Sequence, residues 1–129
     1  MSFKLIDATE AKVGVAIIIE SEPCVVKSVD ISKTGKHGHA KVRMDAVGIF
    51  DGKKRVLVVP GHERFEVPLI NKLRGQILSV SENSASVMDL ESFETFDMPM
   101  AEEVKGEIKE GDNIEYWGIE NRKIIKRKA

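Results

Sequence analysis

Short β-type segments recur along almost the whole chain, and this rhythm constrains the fold more than any other feature of the sequence. Residues 62–69 (HERFEVPL) alternate polar and apolar side chains, as a half-buried strand does. Turn-forming pairs separate the segments, and Asp51-Gly52 is the strongest hairpin signal among them. The predicted strands cover residues 15–20, 23–31, 40–50, 55–59, 62–69, 75–81, 85–90, 94–98, 113–119 and 123–127. No long amphipathic helix is evident, so the sequence predicts an all-β protein.

The predicted strands form two groups of about five, which meet at Val67-Pro68-Leu69. Proline interrupts the hydrogen-bond ladder of a strand and makes a short, fairly stiff junction. We therefore predict two small β-barrels in tandem, residues 1–68 and 69–129, with a single all-β sandwich as the alternative. Residues 100–109 are compatible with a short helix, although Gly106 weakens it.

Composition and charge place the chain among ordinary globular proteins. Of its 129 residues, 42% are hydrophobic and 32% are charged, and the net charge is −1. Residues 1–68 hold 11 Lys and Arg against 9 Asp and Glu, a net charge of +2, whereas residues 69–129 hold 9 against 12, a net charge of −3. The single cysteine, Cys24, excludes an intramolecular disulfide, and a buried structural thiol is expected there. Neither a transmembrane run nor a signal peptide is evident, so a cytoplasmic protein with no membrane partner is expected.

Residues 32–43 (SKTGKHGHAKVR) say more about function than any other segment. Four cations and two histidines lie there with no acid among them: Lys33, Lys36, Lys41, Arg43, His37 and His39. Gly35 and Gly38 bracket Lys36, and glycine adopts positive φ at little steric cost. Because β-type runs lie on both sides, we predict a hairpin with Lys36 at or near its tip. A lysine in that position is available to a partner of the protein.

A phosphate-binding P-loop and a metal site both fit this segment poorly. The P-loop pattern needs a glycine where Asp30 stands and a hydroxyl where His37 stands, so that reading is rejected. His37 and His39 would face the same side of an extended strand and could bind a metal with His62 or an acid as the third ligand. The neighbouring lysines oppose a bound cation, so no metal is expected, and two solvated histidines are the simpler interpretation.

Nucleic-acid binding fits the segment better than catalysis does. Cations on a protruding hairpin neutralise phosphates, and imidazoles stack on bases or hydrogen-bond ribose. Residues 122–128 form a second basic run, which either assists or is a solvated last strand. Tyr116 and Trp117 are candidates for base stacking, although core packing is expected for at least one, and Phe65, Phe93 and Phe96 are expected in the core. An RNA-processing enzyme that uses the two loop histidines as acid and base is a further alternative.

The run TGKHGHAK, from Thr34 to Lys41, resembles the modification loop of the translation factor 5A family, the hypusine-containing initiation/elongation factors of eukaryotes and archaea. The match at this loop is complete. Four further segments resemble the family: Glu22-Pro23-Cys24, VGIFDGKK (47–54), EVPLI (66–70) and GDNIEYW (111–117). The short lead before the first strand is expected of an archaeal member, whereas His39 is the eukaryotic-style choice.

The resemblance implies an SH3-like barrel for residues 1–68, followed by an OB-fold for residues 69–129. It implies a protein that is not an enzyme, with Lys36 converted to deoxyhypusine or hypusine by deoxyhypusine synthase. The added aminobutyl group comes from spermidine, and no separate cofactor is expected. The residues implied to shape the loop or contact RNA are Lys33, Thr34, Gly35, His37, Gly38, His39, Lys41 and Arg43.

The partners that the resemblance implies are the ribosome, its rRNA and the acceptor end of peptidyl-tRNA. The factor would bind near the P and E sites and promote peptide-bond formation at stalled sequences, proline runs especially. A stand-alone RNA-binding protein that uses the basic loop and the OB-fold is the alternative function.

Overall fold

A computed structural model describes residues 4–33 and 40–129 of the chain. In this part of the chain, regular structure consists of strands and two three-residue 3₁₀ turns, Ala8–Glu10 and Glu102–Val104. The all-β prediction is confirmed. The chain divides into two compact units, Met1–Pro68 and Leu69–Ala129.

The first unit contains an antiparallel four-stranded sheet and a separate two-stranded pair. Its strands are β1 (Lys4–Asp7), β2 (Ala16–Ile19), β3 (Glu22–Lys33), β4 (Ala40–Gly48), β5 (Lys54–Pro60) and β6 (Arg64–Val67). The sheet order is β2-β3-β4-β5, and β1 pairs with β6. Glu20 and Ser21, with φ of 50° and 69°, form the two-residue turn between β2 and β3. Positive φ at both turn residues matches the twist of an antiparallel hairpin, so the turn fixes the register of these strands.

A β-bulge at Lys27 decides which side chains of β3 face the core. Val26 is opposite Ala46 but Ser28 is opposite Asp45, so Lys27 is an extra residue on β3. Beyond the bulge, Val29 lies opposite the buried Met44. Without the extra residue, the inward alternation would continue to Ser28 and Asp30, and burying an unpaired carboxylate is costly. The bulge therefore keeps Asp30 on the solvent face.

The core of the first unit is built from small and branched apolar side chains. Its buried members are Ile6, Ala8, Ala11, Ile17, Ile19, Cys24, Val26, Val42, Met44 and Ala46. Burial raises the pKa of the Cys24 thiol, and Arg55 Nη1 lies 3.8 Å from its sulfur. The thiol is thus buried and protonated at neutral pH, which confirms the predicted buried cysteine.

The second unit is one antiparallel five-stranded sheet that curls on itself. Its strands are β7 (Asn71–Val80), β8 (Ser84–Asp89), β9 (Thr95–Pro99), β10 (Asn113–Ile119) and β11 (Arg122–Lys128), in the order β11-β10-β7-β8-β9. Met100, next after β9, forms a bridge with Ile125 of β11. The two edges of the sheet therefore approach each other, which leaves fewer unpaired strand groups exposed.

A buried carboxylate at the end of β8 organises the turn to β9. The Tyr116 hydroxyl donates to Asp89 Oδ2 at 2.5 Å, and the backbone N–H groups of Glu91 and Ser92 donate to Asp89 Oδ1 at 2.8 Å. The Tyr116 hydrogen bond, followed by the Ser92 backbone, lowers the pKa of Asp89. Burial and then Asp89 itself raise the pKa of Tyr116. The ionised carboxylate is fully partnered, so this end of the sheet tolerates its burial.

The structure departs from the sequence predictions at three places. Strand β1 was not predicted, because KLID is too short to show a period. Residues 100–109 hold only the 3₁₀ turn Glu102–Val104, and Gly106 has φ of 78°, which an α-helix does not accommodate. Phe93 is 68% exposed with φ of 62°, since it occupies the turn set by Asp89 and cannot reach the core.

Candidate functional site

We call residues 34–39 the glycine segment. The strands that flank it, β3 and β4, pair with each other along nearly their whole length. On β3 and β4 the pairing continues through Ser32 with Lys41 to Lys33 with Ala40. Six predicted site residues stand between these strands and lie outside the described residues: Thr34, Gly35, Lys36, His37, Gly38 and His39. The proposals for them, including acid–base work by the histidines, stay predictions.

The outer end of the β3–β4 hairpin projects beyond the core. The last four residues of β3 are all exposed, and Ile31 among them is 50% exposed although its partner Val42 is fully buried. Lys41 on β4 is exposed as well. An exposed β-branched residue opposite a buried one shows that β3 runs past the edge of the apolar core.

The described cations of the hairpin do not share one face. Directly paired residues point to the same side of an antiparallel sheet, so Lys41 and Arg43 face the side of Ser32 and Asp30. Lys33 pairs with Ala40 and faces the other side. In the described ranges, neither Lys33 nor Lys41 takes part in an ion pair. The hairpin thus presents one uncompensated lysine on each side.

Arg43 differs from the lysines because the fold places acids beside it. Its Nη1 lies 3.9 Å from Asp45 Oδ1, and Asp30 is its cross-strand neighbour. Lys54 also lies 3.9 Å from Asp45, through the other carboxylate oxygen. The Oδ1 atom is buried and accepts no hydrogen bond, so the Arg43 contact is a loose ion pair. The basic segment 32–43 thus has an acid two residues beyond each end, and the fold places both acids beside Arg43.

Gly61 supports the outer end of the hairpin at Ala40, whereas the sequence marks it only as part of a turn. Its N–H donates to the Ala40 carbonyl at 2.7 Å, and its own carbonyl accepts from Thr9 N–H at 3.4 Å. A Cβ atom at Gly61 would lie 2.9 Å from Thr9 Cγ2 and 3.0 Å from Ala40 Cβ. The absence of a side chain lets the β5–β6 connection contact the residue where β4 begins. The Pro60-Gly61 pair signals a turn, but no sequence pattern reveals this approach.

The remaining candidates form no metal centre in the described ranges. His62 is exposed in the connection between β5 and β6. Among residues 4–33 and 40–129, no group of three or more His, Cys, Asp or Glu side chains is arranged to hold a metal ion. No helix in that part of the chain has the length and apolar character needed to cross a membrane.

Both aromatic candidates of the second unit are buried, so neither presents a free face for base stacking. Tyr116 donates to Asp89 inside the curled sheet, and Trp117 is 7% exposed. Residues of the second basic run surround Trp117, since Lys126 and Arg127 of β11 lie within 6.0 Å of its ring centroid. Core packing was predicted for at least one of the two rings, and the burial of Tyr116 confirms it.

Comparison with known proteins gives a consistent result along the whole chain. Residues 4–63 match the family model described as translation initiation factor 5A-like, N-terminal. The chain is similar to translation initiation factor 5A of Pyrobaculum aerophilum, at 46% identity over 99% of this chain and 96% of that protein. It is similarly related to the factor of Pyrobaculum islandicum, at 43% identity over 98% of each chain.

Solved structures match in both fold and sequence. The structure titled eukaryotic translation initiation factor 5A from Methanococcus jannaschii matches with a TM-score of 0.85 and 32% identity, over 98% of this chain and 95% of that one. A translation initiation factor eif-5a family protein from Naegleria fowleri matches with a TM-score of 0.76 and 29% identity, over the full length of both chains.

Proposed function

This chain belongs to the translation initiation factor 5A family, and we propose that it acts on the ribosome through a modified side chain at Lys36. The modification proposed is transfer of a spermidine-derived aminobutyl group by deoxyhypusine synthase, giving deoxyhypusine or hypusine. The observation that carries the proposal is the pairing of β3 with β4 out to Lys33 and Ala40, past the edge of the core. Lys36 stands midway between these two residues in the sequence.

The two units fit the two-domain architecture of this proposal. We propose that the first unit is an SH3-like barrel and that the second, with five antiparallel strands and a bridge between its edges, is an OB-fold. The protein is proposed to work in the cytoplasm and to carry out no chemistry of its own. It would act by binding near the P and E sites and by contacting rRNA and the acceptor end of peptidyl-tRNA.

An aminobutyl extension changes what a lysine side chain can do. It lengthens the reach of the side chain and adds a second protonatable amine, hence further charge and donors for the RNA backbone. Lys33 and Lys41 lie at the outer end of the β3–β4 hairpin without acidic partners in the described part of the chain, and they would add to the attraction. Orienting the ends of two substrates removes several kcal/mol from a barrier without proton transfer by the protein. This is how the factor would promote peptide-bond formation at proline runs.

The test compares Lys36→Gln with the native chain, both produced in a host that contains the modifying enzyme. We expect the native chain to gain mass at Lys36 and to support translation of a proline-run reporter, and Lys36→Gln to do neither. Thermal melts of the two chains should coincide, because Lys36 is proposed to act outside its own molecule.

Lys33→Gln provides the matched control, since it removes the same charge from the same hairpin. It should still be modified and should retain most reporter activity. Full activity of Lys36→Gln would overturn the proposal. Loss of stability together with activity in Lys36→Gln would assign the lysine a structural role instead.

A further inference from the structure

Strand β5 is the last strand of the four-stranded sheet of the first unit, so one of its two edges has no neighbouring strand in the described part of the chain. We call this edge the free edge of β5. The other edge pairs with β4 without a register shift. Just beyond the two ends of β5, Gly61 N–H donates to the Ala40 carbonyl and Gly48 N–H donates to the Lys53 carbonyl. These two bonds show which residues of β5 turn their backbone groups toward β4.

The free edge of β5 carries backbone groups that are open to a partner. The direction of the backbone groups alternates along an antiparallel strand, so the odd-numbered residues of β5 bond to β4. The N–H and C=O groups of Lys54, Val56 and Val58 point the other way. Among the described residues, nothing forms a hydrogen bond with these groups. A row of open donors and acceptors of this kind is a template for an added strand.

The side chains along the free edge are apolar in the middle. Val56 and Val58 are 50% and 64% exposed on the outer face of the sheet. Proteins commonly protect such edges with charged residues or proline, and β5 has Lys54 at its beginning and Pro60 at its end. The two valines between them remain available for contact with the side chains of an added strand.

The outer face next to the free edge is positively charged. Its charged residues on β4 and β5 are the cations Lys41, Arg43 and Lys54 and one acid, Asp45. The carboxylate of Asp45 lies 3.9 Å from both Arg43 Nη1 and Lys54 Nζ, so it is shared between two of the cations. Asp30 is one strand further away, opposite Arg43. The excess of cations favours an acidic occupant.

A second copy of the chain fits this edge poorly. Antiparallel pairing of two β5 edges about a two-fold axis places Lys54 of one copy opposite Val58 or Pro60 of the other. Arg43 and Lys41 are the neighbours of those two residues on β4, so cations meet cations in either register. Pro60 also has no N–H to donate in the second register. These features oppose self-pairing but leave the edge open to a strand of opposite charge.

We propose that the free edge of β5 binds an extended, acidic segment of a partner protein as a fifth strand of the sheet. Backbone hydrogen bonds to Val56 and Val58 supply the affinity, and acids near Lys54 and Lys41 select the partner. RNA would leave the row of strand donors and acceptors and the two valines without suitable partners. The inference goes beyond the proposed function and does not rest on modification of Lys36.

The test uses the full-length, unmodified chain and the peptide acetyl-ETVTVTE-amide, with amide exchange followed by NMR. In antiparallel pairing, the glutamates of the peptide fall opposite Lys54 and Pro60, and its valines fall opposite Val56 and Val58. Without peptide, the amides of Val56 and Val58 should exchange fast, whereas that of Leu57, which bonds to β4, should exchange slowly. Saturating peptide should slow exchange of the two valine amides at least about tenfold.

Lys54→Glu tests the selection by charge. It should weaken binding of the acidic peptide about tenfold and tighten binding of acetyl-KTVTVTK-amide by a similar factor, because an attractive cross-strand pair becomes a repulsive one. Lys12→Glu is the matched control, since it makes the same charge change at an exposed residue of the same unit outside the sheet. It should change neither affinity. Equal affinities of the native chain for the two peptides would overturn the inference.

Val58→Pro tests the backbone of the free edge. It removes an N–H that points away from β4, so it should abolish peptide binding and leave the melting curve close to that of the native chain. Val58→Thr keeps the N–H and a side chain of similar shape, and it should still bind. Binding that survives in a folded Val58→Pro chain would overturn the inference. If Val58→Pro does not fold, the charge reversal at Lys54 and the amide exchange decide.

The same measurements identify the other possible occupants. Protection of the Val56 and Val58 amides that grows with protein concentration in the absence of peptide would identify a second copy. Protection by oligouridine but not by the peptide would identify RNA, and either result would overturn the assignment to an acidic segment. Lys36→Gln should bind the peptide as the native chain does, so failure of the Lys36 proposal would leave this inference standing.

Discussion

The two ends of strand β4 differ in how completely the protein satisfies its own side chains. At the Gly48 end, Arg55 donates to both carboxylate oxygens of Asp51, at 3.2 and 2.8 Å, and the backbone N–H of Lys53 donates to Asp51 Oδ1 at 2.9 Å. At the Ala40 end, Lys41 has no ion-pair partner among the described residues, and the facing end of β3 is exposed.

The Gly48 end of β4 holds the hairpin in register, whereas the Ala40 end exposes it to a partner. The Gly48 end fixes the register of β4 against β5, and β4 in turn fixes β3. Because the register is held there, the Ala40 end needs no internal ion pairs and its lysines remain available to a partner. Substitutions at the Gly48 end should therefore change stability, and substitutions near Ala40 should change recognition.

Gly48→Ala should disrupt the Gly48 end of β4 and cause the largest loss of stability. A Cβ atom at this position would lie 1.8 Å from Asp51 Oδ1 and 2.9 Å from Arg55 Nη1, so the ion pair must move. Both side chains can move only by giving up hydrogen bonds, so we expect the free energy of unfolding to fall by about 2 kcal/mol. Urea titration would measure it. At a temperature where the variant is folded, Lys36 should still be modified.

Gly118→Ala offers the matched control. Gly118 is also buried in a strand, but a Cβ atom there meets only Leu73 Cδ1 at 4.0 Å, an ordinary contact. Its stability should change by less than about 1 kcal/mol. Comparable losses in the two variants would mean that the cost reflects glycine replacement in strands and not the Asp51–Arg55 pair.

Gly61→Ala should act at the other end of β4, with a smaller effect on stability. The new methyl group would press on Ala40 Cβ and on Thr9 Cγ2, at 3.0 and 2.9 Å. We expect a loss of about 1.5 kcal/mol in unfolding free energy. Because Ala40 begins the strand next to the glycine segment, transfer of the aminobutyl group by purified deoxyhypusine synthase should slow several-fold.

A second substitution identifies which contact transmits the effect. Thr9→Ser removes the Cγ2 atom and relieves one of the two clashes, while the contact with Ala40 remains. In the Gly61→Ala background it should restore part of the stability but little of the modification rate. Full recovery of the rate would show that the hairpin is insensitive to Ala40, contrary to the separation of roles proposed for β4.

The sequence predicts the strands well where side chains alternate or a turn residue is decisive. The segments around Val42 and Ile77 were found because their apolar residues recur at the strand period. The bulge at Lys27 was not, because one inserted residue shifts the alternation without any compositional mark. Phe93 was misplaced because hydrophobicity suggests the core, whereas the hydrogen bonds to Asp89 determine its position.

For the candidate sites, linear charge was a poor guide to charge in space. Residues 32–43 contain no acid, yet cross-strand pairing brings Asp30 beside Arg43, and Asp45 on the same strand lies 3.9 Å from it. The second half of the chain is negative in sum, yet pairing of three strands collects cations around Trp117. Cross-strand neighbours of this kind are separated by many residues in the sequence and become visible only when strand register is known.

Asp51→Asn removes only a charge at the Gly48 end of β4 and should have the smallest effect on stability. The Arg55 hydrogen bond, followed by the Lys53 backbone, lowers the pKa of Asp51 to about 2 from an ordinary value near 3.8. A carboxylate whose pKa is depressed in the folded state stabilises the protein above its unfolded pKa and loses that contribution as the pH falls toward the folded value. The pair is partly exposed, so we expect the variant to be about 1 kcal/mol less stable at pH 6.

The same variant separates electrostatics from packing through its pH dependence. The stability difference between Asp51→Asn and the native chain should shrink between about pH 4 and pH 2, since the native carboxyl then becomes neutral as well. Urea titrations at pH 6 and pH 2.5 would measure both differences. A deficit that stays constant across this range would mean that Asp51 holds the turn by its shape and its hydrogen bond from Lys53. The Gly48 end would then be held by packing and hydrogen bonding. The two ends of β4 would differ in their packing and not in their ion pairs.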